Sequence, residues 1–180
     1  NAWTFVITFQ ACCKLGEKEE YIEKNRSSKV SLKLCWALHA DALNAGFDVS
    51  VYVGTTLVKL YGKCGSSLQA EIAFNRLHEP SIVSWNAMLS GCAKCETTHI
   101  VLPLYYQMME EGMVPDAITF VWVLKACGNM KASSKGEEIH DEIVREGLIG
   151  RDYFIGTALV DMYASCGLLA KAQEVFNELQ

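Results

Sequence analysis

IVSWNAMLSGCAKCETTHIVLPLYYQMMEEGMVPD, residues 82–116, reads as two amphipathic helices joined by a short turn. Trp85, Met88, Leu89 and Cys92 stand at i, i+3, i+4 and i+7, which puts them on one face of an α-helix. Val101, Leu104, Tyr105 and Met108 repeat the spacing in a second helix, which stops at Gly112 with Pro115 just beyond it. One hairpin cannot bury both of its apolar stripes by itself. The unit needs neighbours.

The neighbours are written into the rest of the chain. GTTLVKLYGKCG (residues 54–65) returns as GTALVDMYASCG (residues 156–167), an offset of 102, and the same offset carries Ala70, Phe74, Asn75 and Leu77 onto Ala172, Phe176, Asn177 and Leu179. A second echo pairs Thr4-Phe5-Val6 with Thr119-Phe120-Val121 and Ala11-Cys12 with Ala126-Cys127. Self-similarity at fixed spacing, two helices to a unit, predicts an all-α fold: an α-solenoid, a right-handed superhelix of helix–turn–helix repeats.

Composition narrows the function. The 180 residues are 51% apolar with a net charge of −5, which argues against a generic polyanion binder. Apolar residues are spread evenly, with no run long enough to span a bilayer, so no membrane partner is expected. The chain opens on Asn1 and stops at Gln180 within a second helix, and it reads as a piece of a longer protein. Of its eight cysteines, Cys12, Cys92 and Cys127 recur in first helices and Cys64, Cys95 and Cys166 at the turns that follow. That pattern suits small core and turn residues in a reducing compartment better than a disulfide framework.

Taken in order, residues 1–50 begin with a helix from Trp3 to about Leu15. Cys12 and His39 are 27 positions apart while Cys127 and His140 are 13 apart, so the first copy carries 14 extra residues. These are the charged stretch 16–29, expected as a loop or a frayed helical extension. Residues 51–81 hold a helix from Val51 to Lys63 and another from Leu68 to Leu77, closed by Glu79-Pro80. In residues 82–116, Pro103 falls inside the second helix and is expected to bend it, at a cost of up to ~3 kcal/mol. In residues 117–152, Gly128-Asn129 is read as the turn, with Ser133 or Ser134 capping the helix that follows. Residues 153–180 start a further hairpin, striped by Ala172, Val175, Phe176 and Leu179.

VSWNAML (83–89), GMVPD (112–116), TFVWVLKAC (119–127) and GTALVDMYASCG (156–167) resemble pentatricopeptide repeats, and more narrowly the PLS class of plant organelle proteins, whose repeats alternate in length. The lengths here follow suit, with a long-type repeat over 1–50, a short type over 51–81, a standard 35-residue repeat over 82–116, a long type over 117–152 and a truncated short type over 153–180. The resemblance implies sequence-specific binding of single-stranded RNA, with about one base read per repeat.

In that family the fifth and last residues of a repeat select the base. The resemblance therefore implies base-selecting roles for Asn86 with Asp116, Thr55 with Ser81, Val121 with Asp152, and Thr157. The Asn86/Asp116 pair is similar to pairs that prefer uridine: the amide offers a donor and an acceptor, and the carboxylate accepts from a ring N–H or orients the amide. Ser81 stands where Asp or Asn is usual, so that repeat is assigned no base, and Val121 cannot hydrogen-bond, which weakens any readout in its repeat. Second-position residues sandwich bases in the family; here they are Tyr52, Val83, Ile118 and Phe154. Lys63 and Lys94 stand where the family places a backbone phosphate contact.

Other motifs lead nowhere. Cys92 and Cys95 form a C-x-x-C, but a zinc site needs a second pair, and the repeat already accounts for both. His140 and Glu142 match the H-x-E of zinc deaminases without the P-C-x-x-C that should follow. No cofactor and no catalysis are expected of this segment. The implied role is target recognition in a mitochondrial or chloroplast RNA-processing factor, most often cytidine-to-uridine editing. Its partners would be organellar RNA and other editing factors, and any chemistry would sit in another domain. A tetratricopeptide-like protein-binding scaffold is the alternative from a different class.

Overall fold

The computed structural model describes residues 1–20, 27–94 and 97–179, with the side chains of 12–20, 27–31 and 34 left aside. The helices are α1 (Ala2–Glu20), α2 (Ser27–Asn44), α3 (Val51–Lys63), α4 (Ser67–Asn75), α5 (Ile82–Lys94), α6 (Val101–Glu110), α7 (Ala117–Met130), α8 (Ser133–Arg145), α9 (Tyr153–Ser165) and α10 (Leu169–Glu178), with a 3-10 turn at Thr98–Ile100. The described residues contain no strand. The architecture is an all-α solenoid of helical hairpins, gathered in two compact units, Asn1–Cys95 and Glu96–Gln180. In the first unit α3 packs between α1 and α5, and α4 covers α3 and α5; in the second α7 packs on α9, flanked by α6, α8 and α10.

The predicted stripes form the cores. Trp85, Met88, Leu89 and Cys92 are buried on α5, and Phe120, Val123, Leu124 and Cys127 on α7. On α6 Val101, Tyr105 and Met108 are buried, while Leu104 is half-buried. On α10 Ala172 and Val175 are buried, but Phe176 is exposed and Leu179 half-buried.

The repeated residues have repeated jobs. A Cβ on Gly54 would strike the side chain of Leu77, and one on Gly156 would strike Leu179, so each leading glycine makes room for the last leucine of its own hairpin. The Cys-Gly pairs end α3 and α9 alike. Gly65 and Gly167 take φ of 71° and 80°, and the next N–H reaches back to the Tyr61 or Tyr163 carbonyl at 2.9 Å. This is a Schellman close, which an L side chain disfavours at the glycine position. His39 Nδ1 meets Tyr61 Oη at 2.9 Å, and His140 Nδ1 meets Tyr163 Oη at 2.8 Å. Burial lowers the pKa of both histidines, so the folded state favours neutral imidazoles. The same burial pushes the Tyr163 phenol up to about 12.

Three expectations need correcting. Pro103 does not bend a helix: α6 begins at Val101, after the 3-10 turn, so Pro103 is its third residue. The first N–H groups of a helix have no partner within it, and Pro103 lacks one there without loss. Gly128-Asn129 is not the turn. The helix α7 runs on to Met130 and is capped by Lys131 in the left-handed region, φ 56°. Gly128 is instead a contact point, since a Cβ there would sit 3.3 Å from Cα of Met162 and 3.2 Å from Cβ of Ser165. Neither Ser133 nor Ser134 caps α8, whose cap residue is Ala132 with no side-chain bond. Of the two outcomes expected for 16–29, the described parts take the helical one, α1 running to Glu20 and α2 starting at Ser27; residues 21–26 lie outside the described residues.

Candidate nucleic-acid interface

Helix starts define the candidate surface. Tyr52, Val83, Ile118 and Phe154 are each the second residue of a first helix, on α3, α5, α7 and α9. They are 70%, 51%, 56% and 73% exposed respectively. Each is followed within a turn by residues that are fully buried; on α9 the preceding Tyr153 is exposed as well. Trp3, the second residue of α1, completes the series at 63% exposed, with its ring 6.0 Å from that of Tyr52. From sequence Trp3 is one of four tryptophans that could serve as stacking platforms, and the Thr4/Thr119 echo sets it opposite Ile118. Trp85 differs: it is buried against Phe74 with ring centroids 4.5 Å apart, a core residue.

The base-selecting candidates sit deeper. Thr55 and Asn86 are buried, one turn into α3 and α5. Asn86 belongs to the first unit and Asp116 to the second. Asp116 caps α7: its Oδ1 accepts from the Thr119 N–H at 2.8 Å and from the Thr119 hydroxyl at 3.0 Å, while its own N–H donates to Thr119 Oγ1. Asp152 caps α9 by accepting from the Phe154 N–H at 2.8 Å. Val121 is half-buried on α7, and Thr157 is exposed, its hydroxyl turned back to the Tyr153 carbonyl at 2.9 Å.

Thr55 and Ser81 are brought together by a residue that sequence reading missed. Ser84 is fully buried, and its Oγ lies 2.6 Å from Thr55 Oγ1 and 3.0 Å from Ser81 Oγ. Its N–H donates to Ser81 Oγ, and the Ser81 N–H donates to Ser84 Oγ, both at 3.3 Å. A row of three hydroxyls can run its protons in either direction, so it offers a donor at one end and an acceptor at the other, interchangeably. Ser84 and Thr119 are both the third residue of their repeat, and each bonds the last residue of the repeat before. That is the signal that could have found Ser84.

Lys63 and Lys94 are the last residues of α3 and α5, both exposed, where a cation also suits the negative end of the helix dipole. Cys92 is buried in the core, and Cys95 lies outside the described residues. The described residues hold no group of three or more His, Cys, Asp or Glu side chains able to bind a metal ion, and no helix among them is long and apolar enough to cross a membrane.

Helical hairpins stacked on shared first helices, with an exposed apolar side chain at the second position of each first helix, define a repeat protein of the solenoid class. Comparison with known proteins narrows the class. Residues 80–129 match the model of the PPR repeat family, and residues 157–180 match that of the PPR repeat. The pentatricopeptide repeat-containing protein At1g03540 of Arabidopsis thaliana is 34% identical over 98% of this chain and 27% of its own length. The chloroplastic relative At4g18520 is 33% identical over 98% of the chain and 32% of its own length, and the mitochondrial At3g09040 36% over 83% and 14%. The chain thus spans a third or less of the length of these curated relatives. Its fold matches PPR10, crystallised in complex with an 18-nt psaJ RNA element, with a TM-score of 0.73 and 19% identity over 95% of this chain and 27% of that one. PPR10 from maize matches at a TM-score of 0.71 over 99% and 28%. The chain belongs to the pentatricopeptide repeat family.

Proposed function

We propose that the chain binds single-stranded RNA sequence-specifically and is the target-recognition part of a PLS-class factor acting in mitochondria or chloroplasts, in cytidine-to-uridine editing. One observation carries the RNA reading: Tyr52, Val83, Ile118 and Phe154 are all exposed at the same register position. Holding four apolar side chains in water at one register position suits a surface that receives a flat apolar partner, and a base has such a face. The crystallised PPR10–RNA complex supports the same reading, and the chloroplastic and mitochondrial relatives support the organelle. The chemistry of editing would lie outside these repeats.

In this reading Asn86 and Asp116 select uridine, and Lys63 and Lys94 meet phosphates. Val121 with Asp152, Thr55 with Ser81, and Thr157 hold the equivalent selecting positions of their own repeats. With a net charge of −5 the segment binds weakly alone and gains affinity from a longer array. The test is fluorescence anisotropy on the segment grafted into such an array, with RNAs that differ only at the base facing Asn86/Asp116. Uridine should bind best, and Asp116→Asn should move the preference toward cytidine. An affinity indifferent to both the base and the substitution would favour a protein-binding scaffold instead.

A further inference from the structure

Cys35 is buried on α2, and Cys64 is the half-exposed cap residue after α3. Their sulfur atoms lie 3.6 Å apart, although the residues are 29 positions apart and belong to successive hairpins. Neither is in a disulfide. The hydrogen bond from Cys35 lowers the Cys64 thiol pKa, against the opposing effect of burial. The half-exposed sulfur is thus also the readier nucleophile.

The repeat does not require this pair. His39 and His140 are equivalent at an offset of 101, and that offset takes Cys35 to Gly136, while Cys64 corresponds to Cys166 at an offset of 102. In the second copy the Cys166 sulfur lies 4.0 Å from the Met162 sulfur and 4.0 Å from the Cys127 carbonyl oxygen, and a Cβ on Gly136 would strike Met162. Packing at this position is therefore met by glycine in one copy, and the thiol in the other adds chemistry.

We propose that Cys35 and Cys64 are an oxidisable dithiol, which a low-molecular-weight disulfide converts to an intrachain disulfide stapling α2 to the end of α3. The Cys64 thiolate attacks one sulfur of the small disulfide and expels its partner as a thiolate, leaving a mixed disulfide on Cys64. Cys35, giving up its proton, then attacks the Cys64 sulfur and expels the second small thiolate. Two protein thiols lose two electrons in all; the small disulfide gains them, and the two released protons end on its two thiols. The sulfurs must close from 3.6 Å to about 2.05 Å for the bond to form.

The experiment incubates the full chain with glutathione disulfide, blocks remaining thiols with an alkylating agent and maps the peptides by mass spectrometry. The expected product is a peptide pair joined through Cys35 and Cys64, released by dithiothreitol. Cys35→Ser should stop the reaction at a glutathione adduct on Cys64, and Cys64→Ser should leave Cys35 unreacted. A wild-type chain that carries a stable adduct on Cys64, joins Cys64 to another cysteine, or leaves both thiols to the alkylating agent would overturn the proposal.

Discussion

The hairpin α3/α4 and the hairpin α9/α10 are two versions of one design, and where they part company is instructive. Both keep the leading glycine under the last leucine, the Cys-Gly close and the histidine–tyrosine bond from the preceding hairpin. They part at Lys63 against Ser165 and at Thr55, buried beside Ser84, against the exposed Thr157; in the hairpins that precede them, Cys35 stands against Gly136. The shared glycine, leucine and tyrosine make packing contacts, although Gly62, which meets Gly91 of α5, has Ala164 as its counterpart. The differing residues are mostly ones that face outward or bear a reactive group, as expected if stacking is common to all repeats and recognition is particular to each.

The largest effect should come from the closest approach of backbone to backbone. A Cβ on Gly62 would lie 2.9 Å from Cα of Gly91, backbone against backbone, with no side chain free to move aside. Gly62→Val should destabilise the chain by about 3 kcal/mol in urea unfolding, the upper part of the range for overpacking. Gly54→Ala should cost less, because the opposing Leu77 side chain can rotate away. Equal costs would mean that the α3–α5 contact adjusts more easily than its geometry suggests.

Next come Tyr52 and Phe154, the same position in the two versions. In a longer array, Tyr52→Ala and Phe154→Ala should each weaken RNA binding by about 1–3 kcal/mol, read by anisotropy, whatever base is offered. Both are exposed, so melting temperature should hold. A loss confined to one base would assign them to selection rather than stacking.

Tyr61→Phe should cost about 1–2 kcal/mol of stability, and Tyr163→Phe somewhat less, since His39 is buried and His140 only half-buried. Thermal melts of the two variants side by side would reverse the ranking if His140 makes the stronger bond.

The smallest effect is the pH dependence. His39 and His140 have folded pKa values below the ordinary 6.5. As pH falls through 6.5 the unfolded chain takes up protons first, so their contribution is full above 6.5 and declines below it, toward the lowered folded values. Urea unfolding at about pH 7.5 and about pH 5.5 should show that decline, and His39→Gln should reduce it.

Much of the fold was legible because apolar spacing and repetition are local facts. The stripe Trp85, Met88, Leu89, Cys92 needed only a helical period to be read, and it is buried as expected. The misreadings came from residues with two physical uses. Gly128 looks like a turn residue until Met162 and Ser165 are seen against it. Pro103 looks like a helix breaker until the helix start is fixed two residues earlier. For the candidate site, the exposed second positions were named from family resemblance, but the bond between Ser84 and Thr55 joins residues 29 positions apart. No periodicity announces such a contact. The Cys35–Cys64 approach was hidden for the same reason.

The glycine contact between α3 and α5 has a mechanical consequence. Gly62 and Gly91 lie near the C-terminal ends of their helices, while Tyr52 and Val83 lie at the opposite ends, 10 and 8 residues away. At 1.5 Å per residue those side chains stand about 12–15 Å from the contact. The contact is therefore a fulcrum and the helices its arms. A rotation of about 5° there would move Tyr52 by roughly 1.3 Å relative to Val83 while leaving the packing at the pivot almost unchanged. If a base is received between Tyr52 and Val83 as proposed, such a swing would widen their gap, and it would also stretch the buried Thr55–Ser84 hydroxyl contact that lies between pivot and rim.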